Sequence, residues 1–263
     1  MKPAEARTTA LKKKLRTTLE ATLDLLLPAV CPGCLVAAGP KLCVSCVYAL
    51  ATLSDPCPWC SAPQRSLEER CAHCQGAGIP HVHRIIVSHV YCGEVQRLIG
   101  LAKTVGRPAA VRALSELVPP LPHDAPAGGV VVPVPPSPGR RPGPHLGSTL
   151  ALFCARRQHL PFRRLLITTR LGAEQHLLSP RERRANVVDL FQCIAPAPAY
   201  VVLVDDLITT GATASAAAAA LRAAGAKRVD VLCLARTPRH GEFSAHTNQK
   251  TSGQSAVFDQ RSR

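Results

Sequence analysis

Residues 201–204, Val-Val-Leu-Val, form an unbroken apolar run, which Asp205, Asp206, Leu207 and Ile208 follow directly. A run with no polar alternation suits a central parallel strand, because both of its faces are buried. An alanine-rich helical stretch comes next and closes at Gly225, before a second apolar run, Val229–Ala235. Strand, helix and strand in this order imply a βαβ crossover within a parallel sheet. Upstream, Arg84–Tyr91 predicts a strand, Glu94–Ala102 and Ala109–Val118 helices, and Gly129–Val134 a short buried strand. His145–Arg157 reads as a helix and Val187–Cys193 as a further strand. Residues 84–237 are thus expected to form one α/β domain with a mostly parallel sheet flanked by helices.

The pattern changes on either side of that span. In residues 1–28, Leu11, Leu15, Leu19, Leu23 and Leu26 recur at helical spacing with Lys12, Lys13, Lys14 and Arg16 between them, and Pro28 ends the repeat. This predicts an amphipathic helix packed on the rest of the protein, with a membrane-surface or partner-binding helix as the alternative. Residues 29–78 show little periodicity and hold eight of the twelve cysteines, and the glycine-containing stretch Gln75–Pro80 marks a boundary. From Pro238 the chain is polar with little to bury, and a disordered tail over 238–263 is expected.

Charge narrows the class of ligand. Lys and Arg number 32 against 17 Asp and Glu, a formal net charge of +15, which favours phosphate esters, nucleic acid or acidic lipid surfaces. Aromatic residues make up only 3%, so stacking platforms for single-stranded nucleic acid are scarce. The most apolar N-terminal stretch, Leu23–Val30, is far too short to span a membrane and does not read as a secretory signal. A reducing, cytoplasmic setting is therefore expected, where paired thiols more often hold metal than form disulfides.

The cysteines form four C-x-x-C pairs: Cys31/Cys34, Cys43/Cys46, Cys57/Cys60 and Cys71/Cys74. Each pair can chelate through two thiolates on one tight turn, and two pairs complete a tetrahedral site, which predicts two structural Zn2+ ions in a double zinc ribbon. Sequential pairing and a cross-brace are both compatible with the spacing. Iron–sulfur, redox dithiols and plain buried thiols are the alternatives. His73 lies inside the last pair as a possible substitute ligand, and Cys92, Cys154, Cys193 and Cys233 read as core residues.

Chemistry concentrates after the apolar run. Thr209-Thr210-Gly211-Ala212-Thr213 connects it to the helix, beyond the carboxyl end of a parallel strand, where ligands of such sheets bind. A loop that opens a helix presents free N–H groups and the positive dipole end to an anion. The threonines add hydroxyl donors, and Gly211 lets the backbone approach a phosphate closely. Asp205 and Asp206 can accept hydrogen bonds from vicinal hydroxyls. A phosphate cradle beside a diol clamp matches a ribose 5-phosphate.

VVLVDDLITTGAT resembles the phosphoribosyl pyrophosphate (PRPP) signature of type I phosphoribosyltransferases at every position. The resemblance implies that Asp205 and Asp206 contact the ribose hydroxyls and that Thr209, Thr210, Gly211, Ala212 and Thr213 hold the 5′-phosphate, with Mg2+ accompanying PRPP. The run Val130–Arg141 looks like the family's pyrophosphate loop, with Arg140 and Arg141, joined by Lys103, as pyrophosphate contacts, and Arg181, Arg183 and Arg184 like its mobile loop. Adding the cysteine pairs, Val132-Pro133-Val134-Pro135 and the stretch around Lys103, the chain resembles the ComF/GntX family over roughly residues 23–237. That family's usual Gly-Phe-Asn-Gln is absent after the turn, where the chain reads RRPGPHLGS, so His145 and Ser148 would take the place of those polar side chains. The resemblance implies PRPP binding, phosphoribosyl transfer to an unknown acceptor, and a link to uptake of single-stranded DNA with a helicase-like partner. A non-catalytic PRPP-binding scaffold that docks a partner or DNA through its zinc ribbons is the competing reading.

Overall fold

The computed structural model describes residues 30–36, 39, 41–53, 56–63, 70–136, 145–169 and 190–238. The leucine-periodic N-terminal segment and the tail from residue 239 lie outside these residues. The strands are β1 (Arg84–Val90), β2 (Val130–Pro133), β3 (Leu166–Thr168), β4 (Phe191–Cys193), β5 (Tyr200–Ile208) and β6 (Arg228–Arg236). The helices are α1 (Val44–Tyr48), α2 (Gly93–Gly100), α3 (Pro108–Glu116), α4 (Leu146–Arg157) and α5 (Ala212–Ala223), with a π-helical turn Leu101–Val105 directly after α2.

β1, β6, β5 and β2 form a parallel sheet in that order. Its two flanks are covered by short chain segments. Residues 51–53 run antiparallel to β1, with Leu53 N–H on Ser88 O at 2.9 Å and Val90 N–H on Ala51 O at 2.8 Å. Residues 161–163 run parallel to β2, bonded through Val131 N–H to Pro161 O at 2.8 Å. Such coverage leaves few unpaired backbone groups at the sheet edge.

Alternation within the central strands divides the core into two layers. Val201 and Leu203 of β5 join Val229, Val231 and Cys233 of β6 on one face, under α5, the antiparallel β3–β4 pair and the cysteines Cys57, Cys60 and Cys71. Val202, Val204, Leu232 and Leu234 face the other way, against α2, α3 and α4. The four residues 201–204 are fully buried, and each contributes roughly 1.5–3 kcal/mol through burial.

The amino ends of the strands carry an ionic network. Asp230 is fully buried and accepts from Arg228 Nε at 3.0 Å, Arg228 Nη2 at 2.9 Å and the Tyr200 hydroxyl at 3.2 Å. Arg84 Nε lies 3.4 Å from the same carboxylate while its Nη1 donates to Asp124 at 2.9 Å. A buried carboxylate is tolerated only with this degree of pairing. No helix among the described residues is long and apolar enough to cross a membrane.

Candidate ribose-phosphate site and metal clusters

The apolar run 201–204 lies in β5, which continues through both acids to Ile208. Asp205 stays in register with Cys233 and Leu207 with Ala235. Ladder bonds to a neighbouring strand outweigh the poor strand preference of aspartate. The acid pair is therefore held on rigid backbone, with the loop beginning at Thr209.

Asp205 Oδ1 accepts from the Asp206 amide at 2.8 Å. Burial first, and the charge of Asp206 second, push the Asp205 carboxyl up to about 8. Asp206 is 7% exposed, and its Oδ2 lies 2.5 Å from Lys103 Nζ. Lys103 comes from the π-helical turn, which Gly106 closes in the left-handed region at φ 62°. Resemblance groups Lys103 with the pyrophosphate arginines; in the ligand-free structure its ammonium pairs with Asp206.

Thr209, Thr210, Ala212 and Thr213 are exposed, and Gly211 between them is buried at the N-cap of α5 with φ 84°. The Thr210 hydroxyl accepts from the Ala212 amide at 3.3 Å, which folds the loop over the helix end. Glycine is required at 211 for two reasons, its left-handed backbone and the approach of Ile79, whose Cδ1 would lie 2.2 Å from an added Cβ.

The start of α4 closes one side of the acid pair, since a Cβ on Gly147 would lie 3.6 Å from Asp205 Oδ1. The helix is capped by His145, whose side chain accepts from the Ser148 amide at 3.3 Å and lies 3.2 Å from the Ser148 hydroxyl. These two residues thus stand together, lining a cavity of about 310 Å3 with Pro133, Pro135, Arg164 and Leu166. Arg140, Arg141, Arg181, Arg183 and Arg184 lie outside the described residues.

The cysteine pairs assemble sequentially, as Cys31/Cys34/Cys43/Cys46 and Cys57/Cys60/Cys71/Cys74, rather than as a cross-brace. Within each cluster the sulfurs lie within 4.8 Å of one another. Cys34–Cys43 and Cys57–Cys74 are 3.8 Å apart and Cys60–Cys71 3.6 Å. A tetrahedral ion with Zn–S bonds of about 2.3 Å needs sulfurs about 3.8 Å apart, so both clusters could hold structural zinc. Backbone donors tune individual thiols. Burial raises Cys31, but the amides of Cys43, Cys34 and Gly33 outweigh it and bring the thiol down to about 6. His73 is not part of the second cluster. Of the isolated cysteines, Cys154 and Cys233 are buried as expected, whereas Cys92 and Cys193 are only partly so. Cys193 ends a three-residue strand, packs partly buried against the core layer beneath α5 and donates to Ala195 O at 3.1 Å.

Four residues that matter to this region were not singled out from the sequence. Ile79 and Ser215 sit on either side of the loop, Arg236 ends β6 as a buried cation, and Glu94 stands beside Cys46. Only Arg236 carries a sequence signal, as a charge closing an apolar strand.

No protein-family model matches the chain. A solved structure, TT1426 from Thermus thermophilus, is similar over 48% of this chain and 81% of that one at 19% identity, with a TM-score of 0.27, too low to bear on the site. The DNA utilization protein YhgH of Escherichia coli O157:H7 is 32% identical over 206 residues, which span 74% of this chain and 90% of that protein. YhgH of Escherichia coli K12 is 31% identical over the same shares, and YhgH of Salmonella typhi 42% identical over 69 residues, 26% of this chain and 30% of that protein. At this identity and coverage the chain belongs to the family of the DNA utilization protein YhgH, the ComF/GntX family whose motifs its sequence carries.

Proposed function

We propose that the protein binds PRPP with Mg2+ at the carboxyl end of β5 and transfers its phosphoribosyl group to an acceptor, releasing pyrophosphate. The observation that carries this reading is the Asp205–Asp206 pair, fixed on a central strand directly before a threonine-lined loop that opens α5. The hydroxyls of Thr209, Thr210 and Thr213 and the first amides of α5 would hold the 5′-phosphate. Asp205 and Asp206 would accept from the ribose hydroxyls, freeing Lys103 from Asp206 to meet phosphate oxygens. When the C1–O bond to pyrophosphate breaks, positive charge builds on the ribose ring, and the carboxylates help to balance it. The acid pair is an all-oxygen donor set suited to Mg2+, which when bound would neutralise the leaving pyrophosphate.

A link to DNA utilization is supported by the name its relatives share and by the net charge of +15, which favours a polyanion such as single-stranded DNA. Pyrophosphate release from PRPP–Mg2+, assayed with nucleobases, nucleosides and single-stranded DNA as acceptors, tests the transfer step. Release that depends on one acceptor class supports it.

A second reading, a non-catalytic PRPP-binding scaffold, is favoured by one observation. Val44, Val47 and Tyr48 of α1 are 71%, 50% and 79% exposed, with Leu35 and Val36 also exposed beside the first cysteine cluster. Apolar side chains grouped in this way suit a docking surface. PRPP binding without release for any acceptor would favour the scaffold.

A further inference from the structure

The second cysteine cluster is built into the wall of the loop before α5. Cys57, Cys60 and Cys71 share a core layer with Leu203, Ile208 and Ala214, which frame that loop. Shortly beyond Cys74 the chain reaches Ile79, which is 8% exposed and fills the space over Gly211 where a larger residue would carry its Cβ. The next carbonyl, Pro80 O, accepts from the Ser215 hydroxyl at 3.1 Å, in the first turn of α5. A second tie reaches the strand side of the loop. Arg236, 3% exposed, donates from Nη1 to Cys60 O at 3.0 Å and is paired in register with Ile208, the last residue of β5. The Thr237 amide then donates to Ile208 O at 2.9 Å. Both ends of Thr209–Gly211 are thus fixed to backbone that the second cluster organises. The first cluster lies on the other side of the sheet, beside Glu94 of α2.

We infer that metal in the Cys57/Cys60/Cys71/Cys74 cluster and ribose 5-phosphate at the loop are coupled, each tightening the other, with Ile79 and Pro80 as the connecting residues. The inference rests on the ribose-phosphate reading above. Without a metal crosslink, the two C-x-x-C turns meet through free thiols, with no disulfide between them among the described residues, and Ile79 and Pro80 lose a fixed anchor. The loop must then be ordered at the expense of ligand affinity, and linkage makes the effect reciprocal. Ile79 is a positioning residue here, because it acts through Gly211 and touches no ligand.

The test uses the full-length protein carrying two equivalents of Zn2+, titrated to equilibrium with a zinc chelator that does not take Mg2+, with and without saturating PRPP–Mg2+. PRPP is expected to make one equivalent about tenfold harder to remove and to leave the other unchanged. In Ile79→Ala, two equivalents still bind but protection by PRPP shrinks to less than twofold. Ser215→Ala, which deletes only a hydroxyl, shifts the same way if Ile79→Ala fails to fold. Calorimetric PRPP binding with no change in either equivalent, an equal change in both, or full protection in folded Ile79→Ala would each overturn the coupling while leaving the ribose-phosphate reading intact. Absence of PRPP binding by the folded, zinc-loaded protein would overturn both, and locates the failure in the reading itself.

Discussion

Asp205 holds its proton up to a pH of about 8 in the folded chain, against about 3.8 for an ordinary aspartate, because burial and the neighbouring Asp206 disfavour its charge. The folded state therefore binds more protons at Asp205 than the unfolded state between these values, so this residue's contribution to ligand-free stability is full on the acid side and is lost as pH rises from about 4 to about 8. Asp205→Asn cannot ionise, and its melting temperature should exceed that of the wild type most clearly above pH 8. Scanning calorimetry between pH 5 and 9 checks this, and a wild type that gains stability relative to the variant over that range would contradict it. Lys103 lowers the Asp205 carboxyl through its charge, so Lys103→Met should shift the pH dependence of PRPP binding to higher pH. At the opposite end of the sheet, Asp230→Ala leaves Arg228 and the buried Tyr200 hydroxyl without their acceptor. It should lose roughly 3–5 kcal/mol in urea unfolding. Its folded fraction should bind PRPP as before. That Asp205, Asp206 and the threonines share one strand end and loop was legible, because a polar pair stands between an apolar run and a glycine turn. The pairing of Asp206 with Lys103 was not, since nothing local ties a π-helical turn to a strand end about a hundred residues away.

At the scale of elements, β5, α5 and β6 were readable because each buries long apolar stretches and their periods are distinct. The apolar run alone does not mark the strand's end at Ile208, since local propensity says nothing of the ladder bonds to β6 that carry the acids. The β3–β4 pair has three residues per strand, too few for any period to emerge. Leu166 and Phe191 face the core while Ile167 is 45% exposed, and that alternation shows only once the pair is assembled. Sequential pairing of the cysteines was one of two arrangements allowed by spacing. It follows from chain proximity, with turns at Cys31–Cys34 and Cys57–Cys60 each meeting the next C-x-x-C along the chain. The junction of β5 and α5 yields a prediction of its own. Gly211→Ala forces an L-residue into the left-handed region and should cost about 1–2 kcal/mol of stability. It should also weaken PRPP binding, because the loop amides can no longer keep their direction. Equal stability and affinity in Gly211→Ala would show that the loop tolerates another backbone.

For the molecule as a whole, the parallel sheet separates two environments. Its amino ends are locked by Asp230 and its arginine partners, and its carboxyl ends gather the acid pair, the threonine loop, the His145–Ser148 cap and Ile79. The cysteine clusters lie on opposite faces, the second sharing the core of α5 and the first carrying the exposed α1. This division was not legible from the four C-x-x-C pairs, which are near-identical in spacing and differ only in what they pack against. Whether the carboxyl end of β5 is a ribose-phosphate site is tested most directly by calorimetric titration of PRPP with Mg2+ into the zinc-loaded protein. Saturable binding by the wild type that disappears in folded Asp205→Ala/Asp206→Ala is the predicted result. No binding by a folded, zinc-loaded wild type, or equal binding by the double variant, would contradict it.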